Sequence, residues 1–193
     1  MVTHFLLIRH GLTDAVGHRI TGRLPGVHIN ETGREQAQGL AALHVDVIYA
    51  SPLERAQETA APLARRLGLP VCPAEQFNEV DFGEWSGLTL DDLEAMPEWK
   101  DYNRWRGVTR APHGERMLEV QARVVDFLDA TARKWPEKTV AVFSHADVIK
   151  AAVAHCLQMP FDFLDRLVID PGSVTRVDWY EWGVRVVGVN EKG

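Results

Sequence analysis

Three short motifs in the chain carry side chains that bind or attack anionic groups. Arg9 and His10 stand in "LIRHGLTD". Arg55 stands in "YASPLERAQETA", and His145 stands in "VFSHADVIKAA". A guanidinium group binds phosphate oxygens bidentately and stays charged at every relevant pH, and a neutral imidazole is a nucleophile. If the fold brings these four side chains together, they suit an oxyanion with two negative charges.

Each motif follows an apolar stretch that is predicted to be a buried strand. These stretches are "THFLLIR" (3–9), "VDVIYA" (45–50) and "TVAVFS" (139–144). Continuous β-prone runs of this length are typical of strands that are covered on both faces. In parallel α/β sheets, ligands bind at the carboxyl ends of the strands. The four side chains are therefore expected at one edge of a sheet.

Helix signals lie between the predicted strands. Capping boxes are predicted at Thr32–Glu35 and at Ser51–Glu54, the second with Pro52 at the first helical position. The second helix is expected to end at Gly68 and to be kinked or interrupted at Pro62.

The second half of the chain predicts two more helices and a closing hairpin. Apolar residues at helical spacing indicate a helix over about 115–135, and "ADVIKAAVAHCL" indicates another. "SVTRVDWY" and "VRVVGV" around Gly183 are typical of a hairpin. The alternation predicts one α/β domain over 1–193, a three-layer sandwich with a mainly parallel central sheet and helices on both faces.

The stretch 76–113 is irregular, with only short helix signals such as Thr89 with Asp92. A segment of this kind between regular elements is a candidate lid. Its aromatic and basic residues either contact the substrate or pack the segment onto the body.

Composition argues against several classes of function. The 193 residues carry a formal net charge of −6, and nucleic-acid and anionic-membrane binders usually have a net basic surface. Cys72 and Cys156 are predicted to be reduced thiols, since two cysteines without paired spacing build neither a disulfide framework nor a zinc site. The N-terminal apolar run is too short for a signal peptide or a membrane span, so a cytoplasmic location is expected.

Taken in order, the motifs resemble those of the histidine phosphatase superfamily, which includes cofactor-dependent phosphoglycerate mutases and many small phosphatases. The resemblance rests on the three motifs above and on "NEVDFGEWSG", and it extends from Thr3 to about Ala152. It implies that His10 is the nucleophile that takes the phosphoryl group. It also implies that Arg9, Arg55 and His145 hold the phosphoryl oxygens, with no metal and no cofactor.

The resemblance further implies a proton donor and a pocket lining. An alkoxide is a poor leaving group and needs a proton, and Glu79 matches the position of the family's donor. Asp81 and Glu84 are nearby alternatives. Thr21 and Gly22 match positions that line the phosphate pocket.

The chain also departs from the family's pattern. Leu12 and Val16 stand where many members have a glutamate and a pocket asparagine, which makes the pocket more apolar. Mutases usually have a tyrosine at Phe82, a lysine just beyond Gly87, and adjacent arginines at Trp105–Arg106. These differences favour a phosphatase over a mutase.

Other interpretations stay open at this point. His10, His145 and Glu79 are also a two-histidine, one-carboxylate set of the kind that binds metals, although two arginines would repel a cation. A third interpretation is a non-catalytic phosphate-binding protein. For an enzyme, the expected substrate is a small phosphorylated metabolite: a sugar phosphate, a phosphoglycerate-type acid, a cobalamin-precursor nucleotide or a broad mixture. The closing hairpin offers an edge that could pair in a homodimer.

Overall fold

A computed structural model describes residues 1–192, and its centre is a six-stranded sheet of order β3-β2-β4-β1-β5-β6. The first four of these strands are mutually parallel, and β5 runs antiparallel to both of its neighbours. The prediction of a mainly parallel central sheet is confirmed. The strands are β1 (Val2–Arg9), β2 (Val47–Ala50), β3 (Val71–Pro73), β4 (Thr139–Ser144), β5 (Ser173–Tyr180) and β6 (Gly183–Lys192).

Helices cover both faces of the sheet. Phe5 and Leu7 of β1 lie in one buried cluster with residues of α5 and α6. The alternate residues Leu6 and Ile8 lie in a second buried cluster with residues of α1 and α2. Because successive side chains of a strand point to opposite faces, the two clusters are the two cores of a three-layer sandwich. The helices are α1 (Glu31–Leu40), α2 (Glu54–Leu67), α3 (Leu90–Glu94), α4 (Pro97–Arg104), α5 (Met117–Lys134) and α6 (Ala146–Cys156).

The predicted interruption at Pro62 is wrong. α2 runs through it and ends, as predicted, at Gly68, which has a left-handed φ of 66°. Proline removes one helical hydrogen bond, but Leu63 and Ala64 beside it are buried in the core. Apolar burial on this face outweighs the lost bond, so tertiary packing overrides the local signal.

Both predicted capping boxes in the first half of the chain are also wrong. α1 begins one residue earlier than Thr32, at Glu31, because the side chain of Asn30 accepts from the N–H of Gly33 and forms the cap. α2 begins at Glu54, and its N-cap Leu53 makes no side-chain hydrogen bond. The hydroxyl of Ser51 is instead engaged by another residue, described below.

The segment 76–113 is built from short elements that pack on the body. It contains α3, α4, a 3₁₀ turn at Gly83–Trp85 and the end of another at Glu75–Phe77, and the predicted capping box of Thr89 with Asp92 is present. Trp85, Leu93 and Tyr102 are at most 3% exposed and belong to the larger core cluster. These buried apolar and aromatic side chains therefore attach the segment to the body. Among residues 1–192, no helix is long and apolar enough to cross a membrane.

Candidate active site

The carboxyl ends of β1 and β4 lie side by side at one edge of the sheet. Arg9, the last residue of β1, is in register with Ser144, the last residue of β4. The backbone N–H of His10 donates to the carbonyl of Ser144 at 2.9 Å. His10 and His145 therefore follow neighbouring strands, and their ring centroids are 5.3 Å apart.

The ring of His10 is held in one tautomer. His10 is 4% exposed, and its Nδ1 lies 2.7 Å from the carbonyl oxygen of Gly11. A carbonyl can only accept, so Nδ1 carries the hydrogen and Nε2 of the neutral ring keeps its lone pair. Burial, and next the charge of Arg55, lower the pKa of His10 to about 3. The ring is therefore neutral and nucleophilic across the physiological pH range.

The glycine after His10 is required by close backbone packing. A Cβ on Gly11 would lie 2.6 Å from the carbonyl oxygen of Gly33 in α1. A Cβ on Gly33 would lie 2.3 Å from the carbonyl oxygen of Leu12. The N–H of Gly11 also donates to Oγ1 of Thr59 in α2, at 2.9 Å. Two helices thus fix the loop that carries the candidate nucleophile.

Arg9 and Arg55 bring two guanidinium groups to the same place, the first half-buried and the second fully buried. Nη1 of Arg9 donates to the carbonyl of Ile169 at 2.6 Å, and Nη2 of Arg55 donates to the carbonyl of Gly22 at 2.9 Å. Burial lowers the pKa of both arginines, and the nearby carboxyl of Glu79 opposes that shift. The backbone contacts fix each guanidinium by one nitrogen and leave other N–H groups for a ligand.

His145 is fully buried behind the site and is oriented by Ser51. Nε2 of His145 lies 2.8 Å from Oγ of Ser51. When the hydroxyl donates to Nε2, the ring hydrogen sits on Nδ1. Burial, and next the charge of Arg55, lower the pKa of His145 well below its ordinary value. Ser51 was predicted to cap a helix. Its position directly after β2, at the sheet edge where His10 and His145 lie, is the sequence feature that could have identified it as a site residue.

Three of these side chains each have one buried nitrogen without a protein partner. They are Nε of Arg9, Nη1 of Arg55 and Nδ1 of His145. Residues 1–192 contain seven buried side-chain nitrogen or oxygen atoms of this kind, so this one cluster holds nearly half of them. Buried polar groups are almost always paired. The cluster therefore indicates a binding site in which an anionic ligand supplies the missing hydrogen-bond acceptors.

The carboxyl group of Glu79 lies against this cluster. Its Oε2 is 3.9 Å from Nη2 of Arg55 and 3.6 Å from Nδ1 of His145, and Oε1 accepts from the N–H of Val80 at 2.9 Å. Burial raises the pKa of Glu79 to about 7, against the opposing charge of Arg55 and with support from Asp147. A substantial fraction of the carboxyl is therefore protonated near neutral pH.

A network that sequence reasoning missed holds the backbone of Glu79. Nε of Arg23 donates to the Glu79 carbonyl at 2.8 Å, and Nη2 of Arg123 lies 3.3 Å from the same oxygen. Both arginines pair with Glu115. These partners lie far apart in the chain, so no local sequence motif predicts their contacts.

The two alternatives to Glu79 as proton donor, Asp81 and Glu84, have partners outside the cavity. Oδ1 of Asp81 accepts from the N–H of Gly83 at 2.9 Å. Glu84 is exposed and lies 3.3 Å from Nε2 of His113. Neither carboxyl lines the cavity at the sheet edge, whereas Glu79 does.

A cavity of about 210 Å³ opens between these groups. His10, Glu79 and both arginines line it, as do Thr21 and Gly22, and the lining includes Ala146, the residue after His145. Gly22 has a left-handed φ of 50°, and a Cβ there would lie 2.7 Å from Oγ of Ser86. The rest of the lining is mostly apolar, with one acidic and one basic side chain, and includes Val16, Ile20, Phe82, Leu90, Asp147 and Arg19.

The positions compared with those of mutases have defined environments. Phe82 is buried beside the ring of Tyr102, with ring centroids 6.3 Å apart. Trp105 is 47% exposed. Arg106 is buried and its Nη1 donates to Oδ2 of Asp147 at 2.8 Å.

His10, His145 and Glu79 are not arranged as ligands of one metal ion. Within residues 1–192, no three histidine, cysteine, aspartate or glutamate side chains are grouped to hold a metal ion. Both arginines would also repel a cation.

Known proteins with related sequences include several phosphatases. The chain is 33% identical over 160 residues to phosphoserine phosphatase 1 of Hydrogenobacter thermophilus, covering 76% of this chain and 72% of that protein. It is 30% identical over 182 residues to the adenosylcobalamin/alpha-ribazole phosphatase of Escherichia coli, covering 89% and 88%. A bifunctional protein of Mycobacterium tuberculosis is 35% identical over 202 residues, and this chain spans 54% of its length.

The fold also matches a solved structure of a related phosphatase. Mycobacterial glucosyl-3-phosphoglycerate phosphatase superposes with a TM-score of 0.85 at 30% identity, covering 99% of this chain and all of that one. The sequence model of the histidine phosphatase superfamily (branch 1) matches residues 5–192. The family model covers nearly the whole chain, and a related phosphatase shares its fold. We conclude that this chain belongs to the histidine phosphatase superfamily.

Proposed function

We propose that this chain hydrolyses small organic phosphate monoesters without a metal ion, through a phosphohistidine at His10. One observation carries the proposal: a neutral histidine with a free Nε2 lone pair lies beside two arginines that each have a buried, unpartnered N–H. Family membership and the phosphatase names of the relatives independently support a phosphomonoester hydrolase.

The unpartnered donors define where the phosphoryl group binds. Nε of Arg9 and Nη1 of Arg55 donate to its oxygens, and Nδ1 of His145 donates to a third acceptor at the back of the site. Two guanidinium charges neutralise the dianion in a buried setting, where such contacts are stronger than in water. The substrate oxygens thereby replace partners that the folded chain does not provide.

In the first step, Nε2 of His10 attacks phosphorus. The new P–N bond forms while the P–O bond to the alcohol breaks, and Glu79 gives its proton to the departing oxygen. The product leaves as a neutral alcohol and Glu79 becomes a carboxylate. A carboxyl with a pKa of about 7 is suited to this role, since it is protonated often enough to act as an acid at neutral pH.

In the second step, water attacks the phosphohistidine. The carboxylate of Glu79 takes a proton from the water as the new P–O bond forms. The P–N bond breaks, and its electron pair returns to Nε2 of His10. Release of inorganic phosphate restores the neutral histidine and the protonated acid.

The decisive experiment is release of inorganic phosphate from a panel of phosphomonoesters, with EDTA present throughout. We expect turnover by the wild type and a loss of about a thousandfold or more in His10→Ala. The matched control is His44→Ala, which removes an exposed histidine outside the cavity. Acid-labile, alkali-stable phosphate bound to protein after a rapid quench identifies the intermediate, and equal turnover by wild type and His10→Ala contradicts the proposal.

The same panel separates hydrolysis from phosphotransfer and from binding alone. Phe82 and Trp105 differ from the mutase pattern, which favours hydrolysis. Interconversion of phosphoglycerates that is faster than phosphate release indicates a mutase. Binding of phosphomonoesters without turnover indicates a phosphate-binding protein.

Other expectations belong to the proposal as well. They are a single domain over 1–193, a cytoplasmic location, no nucleic-acid partner and a homodimer formed through the closing hairpin. β6 lies at the edge of the sheet, and Val187 on it is 55% exposed, which supports edge pairing. Light scattering after size exclusion tests the dimer: the mass of two chains supports it, and the mass of one contradicts it.

A further inference from the structure

An acidic side chain lines the catalytic cavity, and the proposed reaction gives it neither a proton transfer nor a contact with the phosphoryl group. Asp147 lies in the first turn of α6, two residues after His145, and its side chain is 19% exposed. Its Oδ2 accepts from Nη1 of Arg106 at 2.8 Å. Its Oδ1 is 3.9 Å from Nζ of Lys150, which is too long for a hydrogen bond. One carboxylate oxygen therefore remains free to accept from a ligand.

Arg106 holds this carboxylate in place from outside the cavity. Its Nη2 donates to Oδ1 of Asn103 at 3.0 Å, and its guanidinium carbon lies 4.9 Å from the centroid of the Tyr102 ring. Arg106 is 7% exposed and does not line the cavity. The arginine thus orients Asp147 and offsets its charge without offering a cation to the bound molecule.

Asp147 is ionised at neutral pH. Burial acts to raise its pKa, but the charges of Arg106 and Lys150 outweigh burial, and the pKa lies below its ordinary value. The carboxylate is therefore only an acceptor of hydrogen bonds.

The remainder of the cavity offers little to a second anion. Arg9 and Arg55 are engaged by the phosphoryl group in the proposed reaction. Much of the other lining is apolar, including Val16, Ile20, Phe82 and Leu90. Arg19 also lines the cavity, but it is exposed, so its charge is weakened by solvent and salt.

We propose that Asp147 is a specificity-determining residue: its free oxygen accepts a hydrogen bond from a hydroxyl or ammonium group on the alcohol part of the substrate and disfavours a carboxylate there. The substrate class is then a phosphomonoester of a hydroxyl- or amine-bearing alcohol, rather than a phosphorylated carboxylic acid. This inference rests on the proposed function, since it assumes that the phosphoryl group sits between the two arginines.

Binding to a catalytically inactive variant tests the inference separately from catalysis. In the His10→Ala background, titration calorimetry gives dissociation constants for phosphoethanolamine, ethylene glycol monophosphate and phosphoglycolate, which are similar in size and differ in the charge of one end. With Asp147 present, we expect phosphoethanolamine and ethylene glycol monophosphate to bind at least about tenfold tighter than phosphoglycolate. In His10→Ala with Asp147→Asn, we expect this preference over phosphoglycolate to fall by about tenfold.

The matched control is Asp165→Asn in the same background. Asp165 is 67% exposed, lies 3.8 Å from Arg106 and does not line the cavity, so its removal changes the charge next to the same arginine without touching the ligand. We expect its ligand preference to equal that of the parent.

Several results would overturn the inference. They are equal binding of the three ligands, an unchanged preference in Asp147→Asn, or binding of all three no tighter than inorganic phosphate. The wild-type assay with EDTA reports on the proposed function separately. Absence of turnover there rejects the phosphatase, and an unchanged ligand preference here rejects only the role of Asp147.

Discussion

Oε2 of Glu79 lies 3.6 Å from Nδ1 of His145, yet burial disfavours the charged form of both groups. It raises the pKa of the carboxyl and lowers the pKa of the imidazole. The two groups therefore do not form the ion pair that their distance alone would suggest. Because the imidazole of His145 does not take the proton, the proton stays on Glu79, where a leaving alkoxide needs it.

This relationship predicts a leaving-group dependence for Glu79→Gln. We expect the rate of phosphorylation by alkyl phosphates to fall by about a hundredfold or more, because the amide cannot supply a proton to an alkoxide. With para-nitrophenyl phosphate, whose phenolate leaves without a proton, the loss should be at most a few fold. Rapid-quench measurement of alcohol or phenol release in a single turnover gives both rates. Similar losses for the two substrates would mean that Glu79 positions the substrate instead of protonating it.

The raised pKa of Glu79 also predicts a pH dependence. The single-turnover rate of alcohol release from an alkyl phosphate should fall above about pH 7, because the acid form of Glu79 disappears as pH rises through its pKa. His10, with a pKa of about 3, stays neutral throughout this range and adds no change. The para-nitrophenyl substrate serves as the control, and its rate should not show this fall. A shared fall for both substrates would assign the titration to another group.

A third prediction concerns stability. The pKa of Glu79 is about 7 in the folded protein against 4.5 for an ordinary glutamate, so the folded state holds the proton more tightly. Its contribution to stability is present below pH 4.5 and is lost as pH rises through 7. The difference in unfolding free energy between Glu79→Gln and wild type should therefore change with pH. From pH 5 to pH 8 it should shift by roughly 2 kcal/mol in favour of the variant. Urea unfolding of both proteins at the two pH values measures this difference. A difference that does not change with pH would contradict a raised pKa of Glu79 in the folded protein.

Two glycines of α1 give a matched pair for the packing of the nucleophile loop. In Gly33→Ala the new Cβ would lie 2.3 Å from the carbonyl oxygen of Leu12, whereas at Gly39 nothing lies within 4 Å. We expect Gly33→Ala to lose about 2 kcal/mol or more of unfolding free energy and to reduce turnover. Gly39→Ala should instead gain up to about 1 kcal/mol with unchanged turnover, since alanine favours a helix interior. Equal effects of the two substitutions would show that the close approach of the loop to α1 is not needed.

The regular elements of this chain are well predicted where burial and local signals agree. The periodic stripe that indicated a helix over about 115–135 corresponds to α5, and the hairpin around Gly183 is present. The predictions failed where a side chain had a stronger partner elsewhere or where packing outweighed a lost bond. Ser51 contacts His145 instead of capping α2, and Pro62 is retained inside that helix.

The sequence by itself determined the α/β alternation, the placing of Arg9 at the end of a strand and of His10 and His145 directly after strands, and the family motifs. These features depend on local residue order and periodic burial. Only the tertiary structure decided which histidine nitrogen keeps its lone pair, which carboxyl reaches the site, and that Asp147 is held by Arg106. Those properties arise from contacts between segments far apart in the chain. The burial that shifts the pKa values of His10 and Glu79 exists only once these segments have packed together.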